Sequence, residues 1–99
     1  MIGRLVVVFG PDAGSTFPIR EGETLVVGRG VNTLTKLHDA HISRIHCEVR
    51  PDGGAVRVVD RASTTGTFVN GRRVSEAVLR PDDVLLLGTT QIRYVAEPI

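Results

Sequence analysis

Cysteine, net charge and long apolar runs are all scarce in this chain of 99 residues, and each scarcity removes a class of protein. Cys47 is the only cysteine, so no disulfide can close within the chain. A reducing compartment suits that usage, and the expected location is cytoplasmic. Twelve basic residues stand against eleven acidic ones, so no global field draws the chain to nucleic acid or to an anionic membrane surface. Any anion site must therefore be local. The N-terminal apolar run, Leu5 to Phe9, is five residues long, too short for a signal-peptide core or a membrane span. No window carries apolar spacing of 3.6, and there is no repeat, linker or low-complexity segment, which argues against helices and against several domains. A hydrophobic content of 41% over this length fits one compact domain, 1–99, whether a small protein or a module of a longer chain.

What the chain has in quantity is β-forming side chains. Thirty residues are Val, Ile or Thr, fifteen of them Val. Short apolar runs alternate with turn chemistry: RLVVVF then GPDAG, TFPI then REGE, TLVVG then RGVN, IHCEVR then PDGG, AVRVVD then RASTTG. The series continues with TFV then NG, RRV then SEA, VLLLG then TTQ, and closes on IRYV. About eleven short strands without intervening helices predict an all-β sandwich of two mainly antiparallel sheets. VVVF and VLLL, apolar on both faces, read as central strands. In IHCEVR, Ile45, Cys47 and Val49 alternate with His46, Glu48 and Arg50, which predicts a strand that buries Ile45 and turns His46 outward. Cys47 is then a core thiol. Asn70-Gly71 predicts a two-residue hairpin.

Two polar, irregular stretches, 29–44 and 61–67, are where a rigid sandwich would carry its function. Arg29 ends an apolar run; Ser43 and Arg44 close a loop just before His46; Ser63, Thr64, Thr65 and Thr67 surround Gly66. A guanidinium, hydroxyls and main-chain N–H groups can together hold a phosphate through charge-assisted hydrogen bonds. The same features, taken singly, fit a solvated strand end and a loop bonded to itself. Two sharper chemistries fail on spacing. Ser43, His46 and Asp39 contain the side-chain types of a hydrolase triad, but they crowd within eight residues and no GxSxG elbow is present, so no catalytic residue is expected. His38, His41, His46 and Cys47 do not match a structural zinc spacing, and no metal or other cofactor is expected.

In order, Gly28-Arg29, Ser43-Arg44-Ile45-His46, and Ser63 to Thr67 with Val69-Asn70-Gly71 resemble the forkhead-associated (FHA) domain, over nearly the whole chain. The resemblance implies a non-catalytic β-sandwich that reads phosphothreonine peptides with loops at one end. It implies that Arg29, Ser43, Arg44 and Thr64 face the phosphate and that Thr65 faces the peptide. Gly28, His46, Gly66 and Asn70 would support the loops. The implied partner is a threonine-phosphorylated protein or peptide, the substrate of a Ser/Thr kinase, with no role for nucleic acid or membrane. The family's Ser-x-Asn-Gly-Thr becomes Ser63-Thr64-Thr65-Gly66-Thr67 here, so the amide that would grip the peptide main chain is replaced by a shorter hydroxyl. That departure supports an alternative, a phosphate-independent interaction domain that keeps the fold for assembly or autoinhibition.

Overall fold

A computed structural model of the chain describes residues 2–30 and 35–97. It contains eleven strands: β1 (Gly3–Phe9), β2 (Thr16–Ile19), β3 (Leu25–Gly28), β4 (Thr35–Lys36), β5 (Cys47–Asp52), β6 (Ala55–Asp60), β7 (Thr67–Val69), β8 (Arg72–Val74), β9 (Glu76–Leu79), β10 (Val84–Leu87) and β11 (Thr90–Ala96). Among the described residues there is no helix, and therefore none long and apolar enough to cross a membrane. One sheet runs β2-β1-β11-β10-β7-β8 and the other β4-β3-β5-β6-β9. The short β3–β4 contact is parallel and every other strand pairing is antiparallel, as expected of a mainly antiparallel sandwich.

Alternation along the strands builds the core. In β1, Leu5 and Val7 point inward while Arg4 and Val6 face out. Val27, Cys47, Val49, Val56 and Val58 answer them from the second sheet, with Leu85, Leu87 and Ile92 filling the first. Each such side chain contributes about 1.5–3 kcal/mol of burial, enough in aggregate to fix which face of each strand is buried. VVVF and VLLL occupy the interior strands β1 and β10, each flanked on both sides. The hairpin forms at Asn70 and Gly71, whose φ values of 50° and 84° give the twist that a two-residue turn between β7 and β8 needs.

Two expectations need correction. Ser75-Glu76-Ala77 is not a turn: Glu76–Leu79 is strand β9, paired with β6 through Val59↔Glu76 and Val58↔Ala77. Glu and Ala are weak strand formers, and the edge of the second sheet overrides that preference while burying Leu79. The alternation of IHCEVR also fails at its start. Strand β5 begins only at Cys47, so Ile45 is 49% exposed and His46 is 0% exposed. A bend at 44 and 45 reverses the expected parity. Burying an imidazole in place of an isoleucine is tolerable only because both of its ring nitrogens find partners.

Candidate functional site

The end of β3, the start of β5, the β6–β7 connection and the β10–β11 turn meet at one end of the sandwich. Gly28 lets two of these strands approach. A methyl group there would lie 2.1 Å from the Arg44 carbonyl oxygen and 2.9 Å from that of Ser43, so only glycine fits. The close approach is held by main-chain bonds in which Arg29 N donates to Ser43 O at 3.1 Å and Gly30 N donates to Arg44 O at 3.0 Å. Arg29 and Ser43 are thereby neighbours, although fourteen positions apart in sequence.

His46 joins this pair of strands to the second loop. Its Nδ1 accepts the Ser43 N–H at 3.1 Å, and its Nε2 donates to the Gly66 carbonyl at 2.8 Å, which defines a neutral ring protonated at Nε2. Neither nitrogen is left to take a proton from the Ser43 hydroxyl, so the geometry of a hydrolase triad is absent. Gly66 adopts φ 92°, a conformation that other residues enter only under strain, and so aims its carbonyl back at the ring. Two further bonds cross between the loops: Thr64 N donates to Ser43 Oγ at 3.0 Å, and Thr65 Oγ1 donates to His41 O at 3.1 Å.

Between the loops lies an open cavity of about 280 Å³, lined by Arg29, Ala40, His41, Ile42, Ser43, Thr64 and Thr65. Arg29 is fixed at its root, with Nε donating to Ile42 O at 2.7 Å, while its terminal nitrogens meet no carboxylate among the described residues. Ser43 Oγ accepts the Thr64 N–H, which fixes the oxygen and leaves its hydroxyl proton to donate. The Thr64 N–H is consumed by that bond, so the donor Thr64 has left for a ligand is its exposed hydroxyl. The arrangement is a guanidinium and two hydroxyls converging on one concave surface, suited to a compact anion.

A family model, that of the FHA domain, matches residues 25–88. The chain belongs to the FHA family. It is 38% identical over 94 residues to the glycogen accumulation regulator GarA of Mycolicibacterium smegmatis, covering 95% of this chain and 59% of that protein. It is 34% identical over 96 residues to the oxoglutarate dehydrogenase inhibitor of Corynebacterium diphtheriae, covering 97% of this chain and 66% of that protein. The chain thus spans about three fifths of the length of these relatives. Among solved structures, a chain from a structural and functional analysis of phosphothreonine-dependent FHA domain interactions superposes with a TM-score of 0.89. That match has 34% identity and covers 100% of both chains.

Within this FHA domain, a buried carboxylate, Asp39, and a half-buried one, Asp60, shape the loops. Asp39, 2% exposed, accepts from Thr89 N, Thr89 Oγ1 and Thr90 Oγ1 on one oxygen and from His41 N on the other. Burial alone would raise its pKa, but the bonds from Thr89, His41 and Thr90 together outweigh that and hold the carboxyl well below the usual carboxylate range. Asp39 therefore ties the 37–45 loop to the β10–β11 turn, while both His46 ring nitrogens bond other partners. Asp60 accepts from the Ser63 hydroxyl, from Ser63 N and from Thr67 Oγ1, and is likewise held low despite the opposing effect of burial. Ser63 and Thr67 thus bond the loop to its own root, while Thr64 and Thr65 face outward. Burial, and then the charges of Asp60 and Glu48, push the Cys47 thiol up to about 12, so it is an inert core group.

Other predicted positions sit apart. The Arg44 side chain is exposed and does not line the cavity; its carbonyl receives Gly30 N. Asn70 supports the far end of β7 rather than the cavity end: its amide donates to Asp83 and its carbonyl accepts Val84 N at 2.9 Å. His38 bonds Asp12 in the β1–β2 turn through its main-chain N–H and Nδ1. Among the described residues no group of three His, Cys, Asp or Glu is placed to hold a metal. Ala40, His41 and Ile42 complete the cavity and carry no sequence signal for it; His41 and Ile42 accept bonds there from Thr65 and Arg29. Their roles run through main-chain carbonyls, which leave no mark on residue identity.

Proposed function

We propose that residues 1–99 act as one non-catalytic, phosphothreonine-dependent peptide-binding domain, with a phosphate seated between Arg29, Ser43 and Thr64 and the peptide main chain passing Thr65. The observation that carries this reading is Arg29: a guanidinium tied by Nε to Ile42 O, without a carboxylate partner among the described residues, beside a hydroxyl whose proton is free. A phosphothreonine carries about −1.5 to −2 charges at neutral pH, whereas unmodified threonine has nothing comparable to offer this site. Arg44, exposed on the same loop, adds positive potential without lining the cavity. The similarity to a domain studied for phosphothreonine-dependent interactions supports the choice of phosphoamino acid. Similarity to a regulator and an inhibitor supports a binding role, which this reading sets in Ser/Thr kinase signalling in the cytoplasm.

Thr65 favours keeping the phosphate-independent alternative in view, because its hydroxyl is already donated to His41 O and so cannot replace the donor of an asparagine. Fluorescence anisotropy with matched phosphothreonine, phosphoserine and threonine peptides separates the readings. Binding only of phosphorylated forms, with phosphothreonine tighter by about fourfold or more for its buried methyl, is expected. Equal affinity for the threonine peptide would favour the alternative.

A further inference from the structure

Arg73 sits on β8, directly across the ladder from Phe68, at the outer edge of the first sheet. Its side chain runs back toward the loop at the cavity end: a methyl group on Gly66 would lie 3.0 Å from Arg73 Nε and 3.1 Å from Cζ. The guanidinium is therefore laid on Gly66, the residue next to Thr65 in the cavity wall. It is exposed, and no carboxylate lies within ion-pair distance of it among the described residues. Arg4, Arg57, Arg61 and Arg93 are each paired with an acid, whereas Arg73 shares its lack of an ion pair with the exposed Arg20, Arg44, Arg50, Arg72 and Arg80; what marks Arg73 is its seat against Gly66, beside the cavity wall. A positioned but unneutralised guanidinium beside a concave anion site has a defined complement, a second negative group on the same ligand.

We infer that Arg73 is a specificity-determining residue that selects peptides carrying an acidic side chain near the phosphothreonine, on the side where the ligand crosses the Thr65–Gly66 edge of the cavity. The inference rests on the phosphothreonine reading above and adds a second charge contact to it. The guanidinium is exposed, so the contact is worth little in isolation and is screened by salt; an acidic residue at the matching position should tighten binding about two- to fivefold. Because Arg73 already rests against the loop, less side-chain freedom is lost on forming the pair than for a free surface arginine.

The test is a set of phosphothreonine peptides, alanine elsewhere, in which aspartate is moved through each flanking position, titrated against the wild-type domain, Arg73→Gln and Arg73→Lys. The expected result is one position at which aspartate tightens wild-type binding two- to fivefold, a gain lost in Arg73→Gln, largely kept in Arg73→Lys and reduced at high salt. The all-alanine phosphopeptide should bind wild type and Arg73→Gln within twofold, which separates charge recognition from any loosening of Gly66. An aspartate gain that is the same in Arg73→Gln overturns the assignment while leaving the phosphothreonine reading intact. Failure of every phosphopeptide to bind the wild-type domain overturns both. Replacing the aspartate with a second phosphothreonine asks whether a phosphate is the stronger partner; a gain that survives Arg73→Gln there would likewise count against Arg73.

Discussion

Replacing His46 tests how the two loops are held, because the ring spans them through two separate bonds. His46→Ala removes the acceptor of Ser43 N–H and the donor to Gly66 O in a position that is 0% exposed. Each orphaned buried group costs about 1–3 kcal/mol, and the vacated ring volume adds to that, so the substitution should cost about 3–6 kcal/mol. That is a large part of the roughly 5–15 kcal/mol available to a domain. The two amide variants divide the effect. In His46→Asn the shorter side chain can place Oδ1 near the position of Nδ1, keeping Ser43 N–H satisfied and losing Gly66. In His46→Gln the longer one can reach Gly66 and loses Ser43. Each should cost about half of the alanine value, but phosphopeptide affinity should be better preserved in His46→Asn, since Ser43 is the residue that faces the cavity. Urea unfolding and anisotropy on the three variants give both quantities. A cost below about 1 kcal/mol for His46→Ala, or better phosphopeptide binding by His46→Gln than by His46→Asn, would refute this account of the ring.

Three further outcomes follow from the same geometry. Gly28→Ala places a methyl group 2.1 Å from a main-chain oxygen, so β3 and the 43–45 segment must separate; stability should drop by about 1–3 kcal/mol and phosphopeptide affinity at least tenfold, read by the same two assays. Asp39 has a depressed pKa in the folded state, so its stabilisation is fully present above the unfolded carboxylate value near ~4 and is lost as pH falls below it. Unfolding free energy should therefore decline steadily below about pH 4, and Asp39→Asn should flatten that decline while costing about 2–4 kcal/mol at neutral pH; an unchanged slope would contradict the assignment. Thr65→Asn restores an amide that can both donate and accept, and should tighten phosphopeptide binding by about 1 kcal/mol, roughly fivefold, in anisotropy; an unchanged or weaker Kd would count against a missing main-chain clamp.

The sandwich was legible because one face of most strands is buried, and alternation in CEVR or IRYV records that face directly. Asn70-Gly71 was legible for a different reason, since so few residues tolerate positive φ at both turn positions. Where the sequence misled, the deciding force lay elsewhere in the fold. Glu76–Leu79 became a strand because β6 offered an unpaired edge. Ile45 and His46 exchanged places because the bend before β5 shifted parity and gave the imidazole two buried partners. The order Gly28-Arg29, Ser43 and Thr64 points to the cavity wall, but Asp39 shows in sequence only as a carboxylate near Ser43 and His46, and its partners Thr89 and Thr90 lie 50 and 51 residues away. Nothing local in HDAHIS announces that link.

The central claim is that Arg29 holds a phosphate. It is tested most directly by the affinity difference between matched phosphothreonine and threonine peptides, measured on the wild-type domain and on Arg29→Ala. A difference of at least tenfold in the wild type that collapses in Arg29→Ala, with unfolding free energy changed by less than about 1 kcal/mol, is the predicted result. An undiminished difference in Arg29→Ala would contradict it.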